Sequence, residues 1–418
     1  MGLKPRPQAA GLVTLAALFL TSIPARGQEA IRMSLASAEA DEQQQRMSNL
    51  DYYNLALGPV SLRFQSEMQF EFTDNVNYSH THRESDLGLT PSLNTRAFWP
   101  ISENNSLFFS TGIGYTTYLR TSNNDHLNIT PDSNLTYRMF VGDFVINFHD
   151  RFSMTEDVEQ NPTGNGNYTE LNNTVGTSVD WDLDKLILTF GYDHQLVTYP
   201  NSDLENSDHN SELFYTQAGV QINPSTLAGL QAGGGLTYYT RNTLNQAGYS
   251  DNTHFSVGPF YQAQVTDYIK ITAASGFVSY YFNSSRVVNE ISDQSGGYAD
   301  LTLSHHVNRW LDYSLTGGRQ LTASAGTDLL DLYHADWEGN WHLIRDVTVT
   351  TSFTYQHGNA SGGNPETFDQ FGAGLSLGFS ITQKLACSIR YNFWSKNSDV
   401  ESYEYVQNML ALDFTYSF

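Results

Sequence analysis

Three shortages narrow this 418-residue chain before any motif is found. It has a single cysteine, Cys387, so no internal disulfide staples it, even in an oxidising compartment. Past residue 23 it has no apolar run approaching the roughly 20 residues that a membrane-crossing helix needs. Basic residues are scarce: 21 Lys and Arg stand against 44 Asp and Glu, a formal net charge of -23. So acidic a surface does not displace phosphate counterions, which excludes nucleic acid as a partner.

What the chain has instead is 25 Tyr, 24 Phe and 32 Gly at a mean hydropathy of -0.39. Aromatic belts and small wall residues suit a β-barrel in a bilayer. The low mean hydropathy fits as well, because half of each barrel strand faces water and the average conceals the apolar half. At the amino end, Lys4 and Arg6 precede an apolar stretch over 9–23, and Ala25 and Gly27 flank Arg26 as small residues at a cleavage site. We expect residues 1–27 to be a leader and the mature chain to begin at Gln28. Removing Lys4, Arg6 and Arg26 leaves 18 of the 21 basic residues against 44 acidic ones, or -26. No cysteine stands directly after the cleavage site, so a lipoprotein is excluded.

From residue 59 onward the pattern is alternation. Val347, Val349, Thr351, Phe353 and Tyr355 alternate with Thr348, Thr350, Ser352, Thr354 and Gln356; Phe371, Ala373, Leu375, Leu377, Phe379 and Ile381 alternate with Gly372, Gly374, Ser376, Gly378 and Ser380. One face is greasy and the other small or polar, the signature of a strand between hydrocarbon and water. Candidate strands cover 61–73, 86–99, 106–120, 127–140, 143–155, 169–181, 186–199, 210–222 and 227–240. Nine more cover 253–265, 269–282, 297–308, 311–324, 332–343, 346–357, 367–381, 385–395 and 404–418. Their length separates them from soluble sandwich strands, which average about five or six residues against the nine to eleven of a tilted membrane strand. The connections alternate between short, as at 102–105, 182–185 and 382–384, and long, polar and rich in Asn, Asp, Ser and Gly, as at 74–85, 156–168, 200–209, 241–252, 283–296 and 358–366. The expected fold is therefore all-β, a transmembrane up-and-down antiparallel barrel of eighteen strands, sixteen being acceptable, with short periplasmic turns and longer extracellular loops over 59–418. Residues 28–58 stand outside the alternation and read as a periplasmic tail or linker.

The last nine residues, LALDFTYSF, place Phe414, Tyr416 and Phe418 on one face with Leu410 and Leu412. This aromatic ending resembles the signal by which bacterial outer-membrane barrels are recognised for insertion, which implies the barrel-assembly machinery and outer-membrane lipid as partners.

On the polar faces, Arg63, Glu67 and Glu71 of the first strand, Asp193 of the seventh, His334, Asp336 and Glu338 of the fourteenth and Arg390 of the seventeenth are the candidates to line a lumen. Mixed signs across a lumen orient polar solutes, and an acidic excess favours cations; such residues also serve simply to fill and hydrogen-bond the interior. Phe108, Tyr118, Tyr280, Phe282 and Trp394 share the nominal inner face and suggest a stacking track for sugars, although rim aromatics and bulges account for them more readily. Neither His80 with His82 nor His305 with His306 has zinc-site spacing, and no nucleophile motif is present. No metal, cofactor or enzymatic activity is expected.

Thr73, Asp74, Asn75 and Val76, followed by Ser85, Asp86, Leu87, Gly88, Leu89, Thr90, Pro91, Ser92 and Leu93, resemble the opening hairpin of the β-barrel porin 2 family, which includes relatives beside exopolysaccharide biosynthesis systems. The resemblance implies an outer-membrane location and a barrel, with a pore inferred from them; it brings no catalytic residues. The reading is a channel for hydrophilic solutes or for polysaccharide export. The alternative from another class is a non-conducting barrel that acts through its loops as an adhesion or structural scaffold.

Overall fold

The computed structural model describes residues 53–156, 162–164, 168–200, 204–240, 249–283, 291–344 and 347–418. The expected leader, and the tail up to residue 52, lie outside them. The described residues form β1 (Leu55–Leu57), β2 (Val60–Thr73), β3 (Asp86–Ser102), β4 (Asn105–Tyr118), β5 (His126–Ile129), β6 (Asn134–Val141), β7 (Phe144–Thr155), β8 (Glu170–Leu183), β9 (Leu186–Thr198) and β10 (His209–Asn223). They continue with β11 (Thr226–Tyr239), β12 (Asn252–Thr266), β13 (Ile269–Phe282), β14 (Gln294–Asn308), β15 (Leu311–Ser324), β16 (Thr327–Ile344), β17 (Val347–Ser361), β18 (Glu366–Ser380), β19 (Leu385–Ser398) and β20 (Tyr405–Ser417). All pairings are antiparallel. β5 and β6 both lie between β4 and β7 and are two pieces of one wall strand, while β1 borders β2 alone. The wall is therefore an eighteen-stranded up-and-down barrel, closed where β2 meets β20 from Gln65↔Ser417 to Thr73↔Met409.

Closure removes every free edge from the wall, which is why an antiparallel sheet can stand in hydrocarbon at all. No described helix is long and apolar enough to cross a membrane, so strands alone make the wall. The alternation works as it reads. Phe148, Phe190, Leu230, Leu301, Leu315, Phe353, Leu375 and Leu410 are each at least 46 % exposed on the outside, whereas their sequence neighbours point inward. Near the loop end the belt finishes in outward tyrosines whose hydroxyls donate to polar groups one register further out: Tyr192 to Glu212 at 2.5 Å, Tyr355 to Asp369 at 2.7 Å and Tyr391 to Asn408 at 2.7 Å. An apolar ring with a wet tip marks the boundary between lipid and water. This is the architecture of a bacterial outer-membrane protein.

Two features refine the expected plan. The connection from β15 to β16 is only Ala325 and Gly326, the latter at φ +77°, because β16 runs further out than the alternation suggested, and the β17–β18 connection is four residues. At the other end, β1 takes up the edge of β2 just where β20 finishes. Ala56 registers with Ser61, and the Asn54 side chain both donates to the Phe64 carbonyl and accepts from the Phe64 amide. The Phe418 amide donates to that same carbonyl, so the two ends of the barrel share one seam.

Candidate functional site

The interior is the place where this fold can act, and it divides in two along its axis. Toward the short turns, inward side chains are partly exposed: Thr189 on β9, Thr272 and Ala274 on β13, Thr348 and Thr350 on β17, Ser376 and Gly378 on β18. Toward the loops, inward side chains are buried: Asp193, Gln195 and Val197 on β9, His254 and Ser256 on β12, Gln356 on β17, Gln370 on β18 and Gln407 on β20.

The sequence candidates fall on both sides of this division. Arg63, Glu67, Glu71, Asp193, His334, Asp336, Glu338 and Arg390 all alternate with lipid-exposed residues and so point inward. Glu67 and Glu71 are partly exposed, and Arg390 is 32 % exposed with its Nη2 3.7 Å from Asp413. Asp193, His334, Asp336 and Glu338, in contrast, are 0 %, 5 %, 2 % and 6 % exposed and are packed within the interior. Asp193 Oδ1 lies 2.7 Å from His149 Nε2, and His334 Nε2 lies 3.4 Å from Asp300. Arg63 is also buried, at 7 %.

Of the five inward aromatics, Tyr118 and Phe282 are partly exposed, while Phe108, Tyr280 and Trp394 belong to no stacking track. Phe108 is 3 % exposed and Tyr280 is 0 % exposed, the latter stacked 4.8 Å from His254 and packed with Val278, Ile291, Tyr298, Leu321 and Leu329. Trp394 packs on Tyr405. The rings of Phe108, Tyr280 and Trp394 are not open to a passing solute, nor do they form the outer girdle.

What covers the loop half is a roof made by the loops themselves. Residues 162–164, which follow β7, reach the opposite wall. There Lys396 Nζ donates to the carbonyls of Pro162 at 2.7 Å and Gly164 at 2.6 Å while pairing with Glu366 Oε1 at 2.7 Å. Glu366 also accepts from the Gly164 amide at 2.9 Å and from Ser398 Oγ at 2.7 Å. Both ionic side chains are essentially sealed, at 0 % and 1 % exposed, and the ammonium sits 4.5 Å over the Phe368 ring. Thr163 Oγ1 donates to the Ala325 carbonyl at 2.7 Å, and the Gly326 amide to Ser207 Oγ at 3.2 Å. Tyr168, Tyr199 and Val197 fill the space beside Ala325. Burial pushes the Tyr168 and Tyr199 hydroxyls well above the ordinary phenol range, as befits a dry contact. No local pattern announces this strap, since its partners lie far apart along the chain.

Among the described residues no cluster of three His, Cys, Asp or Glu side chains could hold a metal. His305 contacts the Tyr313 hydroxyl at 3.0 Å and His306 contacts Asp312, each with its own partner on the next strand. Cys387 is buried and unpaired.

No family model matches the chain, and no curated protein matches it either. Among solved structures it is similar to the outer membrane protein opdK of Pseudomonas aeruginosa, at 10 % identity and a TM-score of 0.49, over 86 % of this chain and 99 % of that one. It is also similar to OpdQ of the same organism, at 8 % identity and a TM-score of 0.47 over 86 % and 97 %, and to OpdL, at 9 % and 0.46 over 87 % and 99 %. At such identities and scores the likeness bears on neither substrate nor mechanism. The resemblance to the β-barrel porin 2 family stands on its motif residues alone.

Proposed function

We propose that this protein is a channel of the bacterial outer membrane, in the manner of the β-barrel porin 2 family that its opening hairpin resembles, and that it passes small hydrophilic solutes. The observation that supports this most is the inner surface of the turn half: a closed ring, apolar outside, on which Thr189, Thr272, Thr348, Thr350 and Ser376 present polar, solvent-reached side chains inward. Eighteen strands enclose more width than side chains alone fill. The loop roof narrows that width, so the passage admits only small solutes, and the partly exposed Glu67 and Glu71 favour cations among them. Polysaccharide, the other cargo that the resemblance suggests, would require the strap at 162–164 to leave its place.

That strap also favours a second reading, in which the roof seals the barrel and the loops serve as an adhesion or structural scaffold. Planar-bilayer recording of the purified protein separates the two: discrete conductance steps support the channel, and a silent bilayer at high protein loading supports the scaffold. For assembly, Phe414, Tyr416 and Phe418 would be read by the insertion machinery. Deleting Phe418 should lower the amount recovered from outer membranes while leaving the conductance of the recovered protein unchanged.

A further inference from the structure

We propose that the selectivity of this channel is set at a bulge in its wall, residues 130–133 between β5 and β6, through the carboxylate of Asp132; the inference rests on the channel reading above. The wall carries two residues too many at this place. From Ile129 to Asn134 is five steps along the chain, while the flanking strands cover the same span in three, Ser110 to Ile113 on β4 and Arg151 to Met154 on β7. Pro131 keeps the excess out of the ladder, because it has no amide hydrogen to donate to a neighbouring strand. The bulge is nevertheless pinned. The Thr130 amide donates to the Gly112 carbonyl at 2.9 Å, the Ser133 amide to the Thr130 carbonyl at 3.0 Å and the Phe152 amide to the Ser133 carbonyl at 3.2 Å. Ser110 Oγ donates to the Asp132 carbonyl at 2.5 Å.

Its direction is inward. Gly112 holds an inner-face position of β4, and a Cβ there would collide with the side chains of Thr130 and Asn94, so glycine is what lets the bulge lean over the lumen. The Asp132 carboxylate then meets an inward arginine of β3, with Arg96 Nη2 3.0 Å from Asp132 Oδ2. Arg96 registers directly across from Arg63 of β2. Two like charges facing each other on adjacent strands destabilise a sheet, and the carboxylate from the bulge offsets this.

Exposure is what turns this pair into a filter. The Asp132 side chain is 38 % exposed and that of Arg96 is 20 % exposed, whereas the inward carboxylates of Asp193 and Asp413 are 1 % and 2 % exposed. A charge sealed in packed protein does not meet a passing ion; one at the water's edge does. Asp132 therefore decides whether ions meet a balanced pair or an excess of positive charge at Arg96.

The test is the reversal potential across a planar bilayer under a KCl gradient, for wild type, Asp132→Asn, Arg96→Gln and the double variant, each shown folded by heat-modifiable gel migration. Asp132→Asn should lower the cation-to-anion permeability ratio by roughly two- to fivefold, the range expected of one unit charge about 4 Å from an ion in water. Arg96→Gln should raise the ratio, and the double variant should return near wild type. Conducting variants whose ratios all equal that of wild type would overturn the filter and leave the channel standing. A wild type that never conducts would overturn both. If Asp132→Asn fails to fold, the rise in Arg96→Gln still decides.

Discussion

The two halves of the lumen are lined by similar residue types, yet they live in different surroundings. On β16, His334, Asp336 and Glu338 are buried, while Asn340 and His342, further toward the turns on the same face of the same strand, are partly exposed. On β19 the order is Lys396 sealed and Arg390 a third exposed. Inwardness is thus a property of the strand and its period, whereas wetness is a property of what the loops bring to the far side. A charge in the loop half is structural material. In the turn half Arg390 is in reach of a solute, while Arg63 and Asp413 are buried there too.

The largest change should follow from breaking the boundary between the halves. Lys396 holds the strap by two backbone carbonyls and one carboxylate, and replacing it alone would strand Glu366 without a cation, at a cost of about 3–5 kcal/mol. The double variant Lys396→Met with Glu366→Gln removes both charges together and avoids that penalty. We expect its single-channel conductance to rise severalfold over wild type, with frequent transitions between levels as 162–164 leaves its seat. An unchanged, quiet trace would mean that the roof does not limit flow and that the two halves conduct as one.

How much of this could be read beforehand follows from the same contrast. Lipid forces alternation on every wall strand, so the bounds expected for β13 and β15, 269–282 and 311–324, coincide with the observed ones. The rule fails where lipid no longer touches the strand. β16 begins at Thr327 and not at 332, because Leu329, Leu330 and Leu332, at 3 %, 1 % and 2 % exposed, are covered by protein and follow no period of two. The break between β5 and β6 did carry a signal, since Pro131 within the expected strand 127–140 argues against an unbroken ladder. The roof carried none. Its contacts join Pro162 to Lys396 and Thr163 to Ala325, pairs whose chemistry is ordinary at each end and acquires meaning only when the ends meet.

A second, smaller effect should separate the halves by kind. Asp193 is sealed against His149, so Asp193→Ala removes a buried hydrogen-bond partner and leaves the imidazole unmatched, a loss of about 1–3 kcal/mol. The expected outcome is a lower unfolding midpoint in denaturant with conductance and ion preference unchanged. If the ion preference moved as well, the loop half would be in contact with permeating ions and the division drawn here would fail.

The smallest effect belongs to Arg390. Its guanidinium is a third exposed and 3.7 Å from the Asp413 carboxylate, whose other oxygen accepts from Ser388 at 2.8 Å. Because that hydrogen bond remains, Arg390→Gln should cost less than about 1 kcal/mol in stability, in keeping with a partly solvated ion pair. Its removal still uncovers a carboxylate beside Glu67 and Glu71 on the adjoining strand, so the cation-to-anion ratio should rise slightly. Salt supplies the control. Raising ionic strength from 0.1 M to 1 M shrinks the screening length from about 10 Å to about 3 Å, and the difference between Arg390→Gln and wild type should fade if water fills the space in front of this residue. A difference that survives 1 M salt would place Arg390 in the packed half, against the exposure that separates it from Lys396 on the same strand.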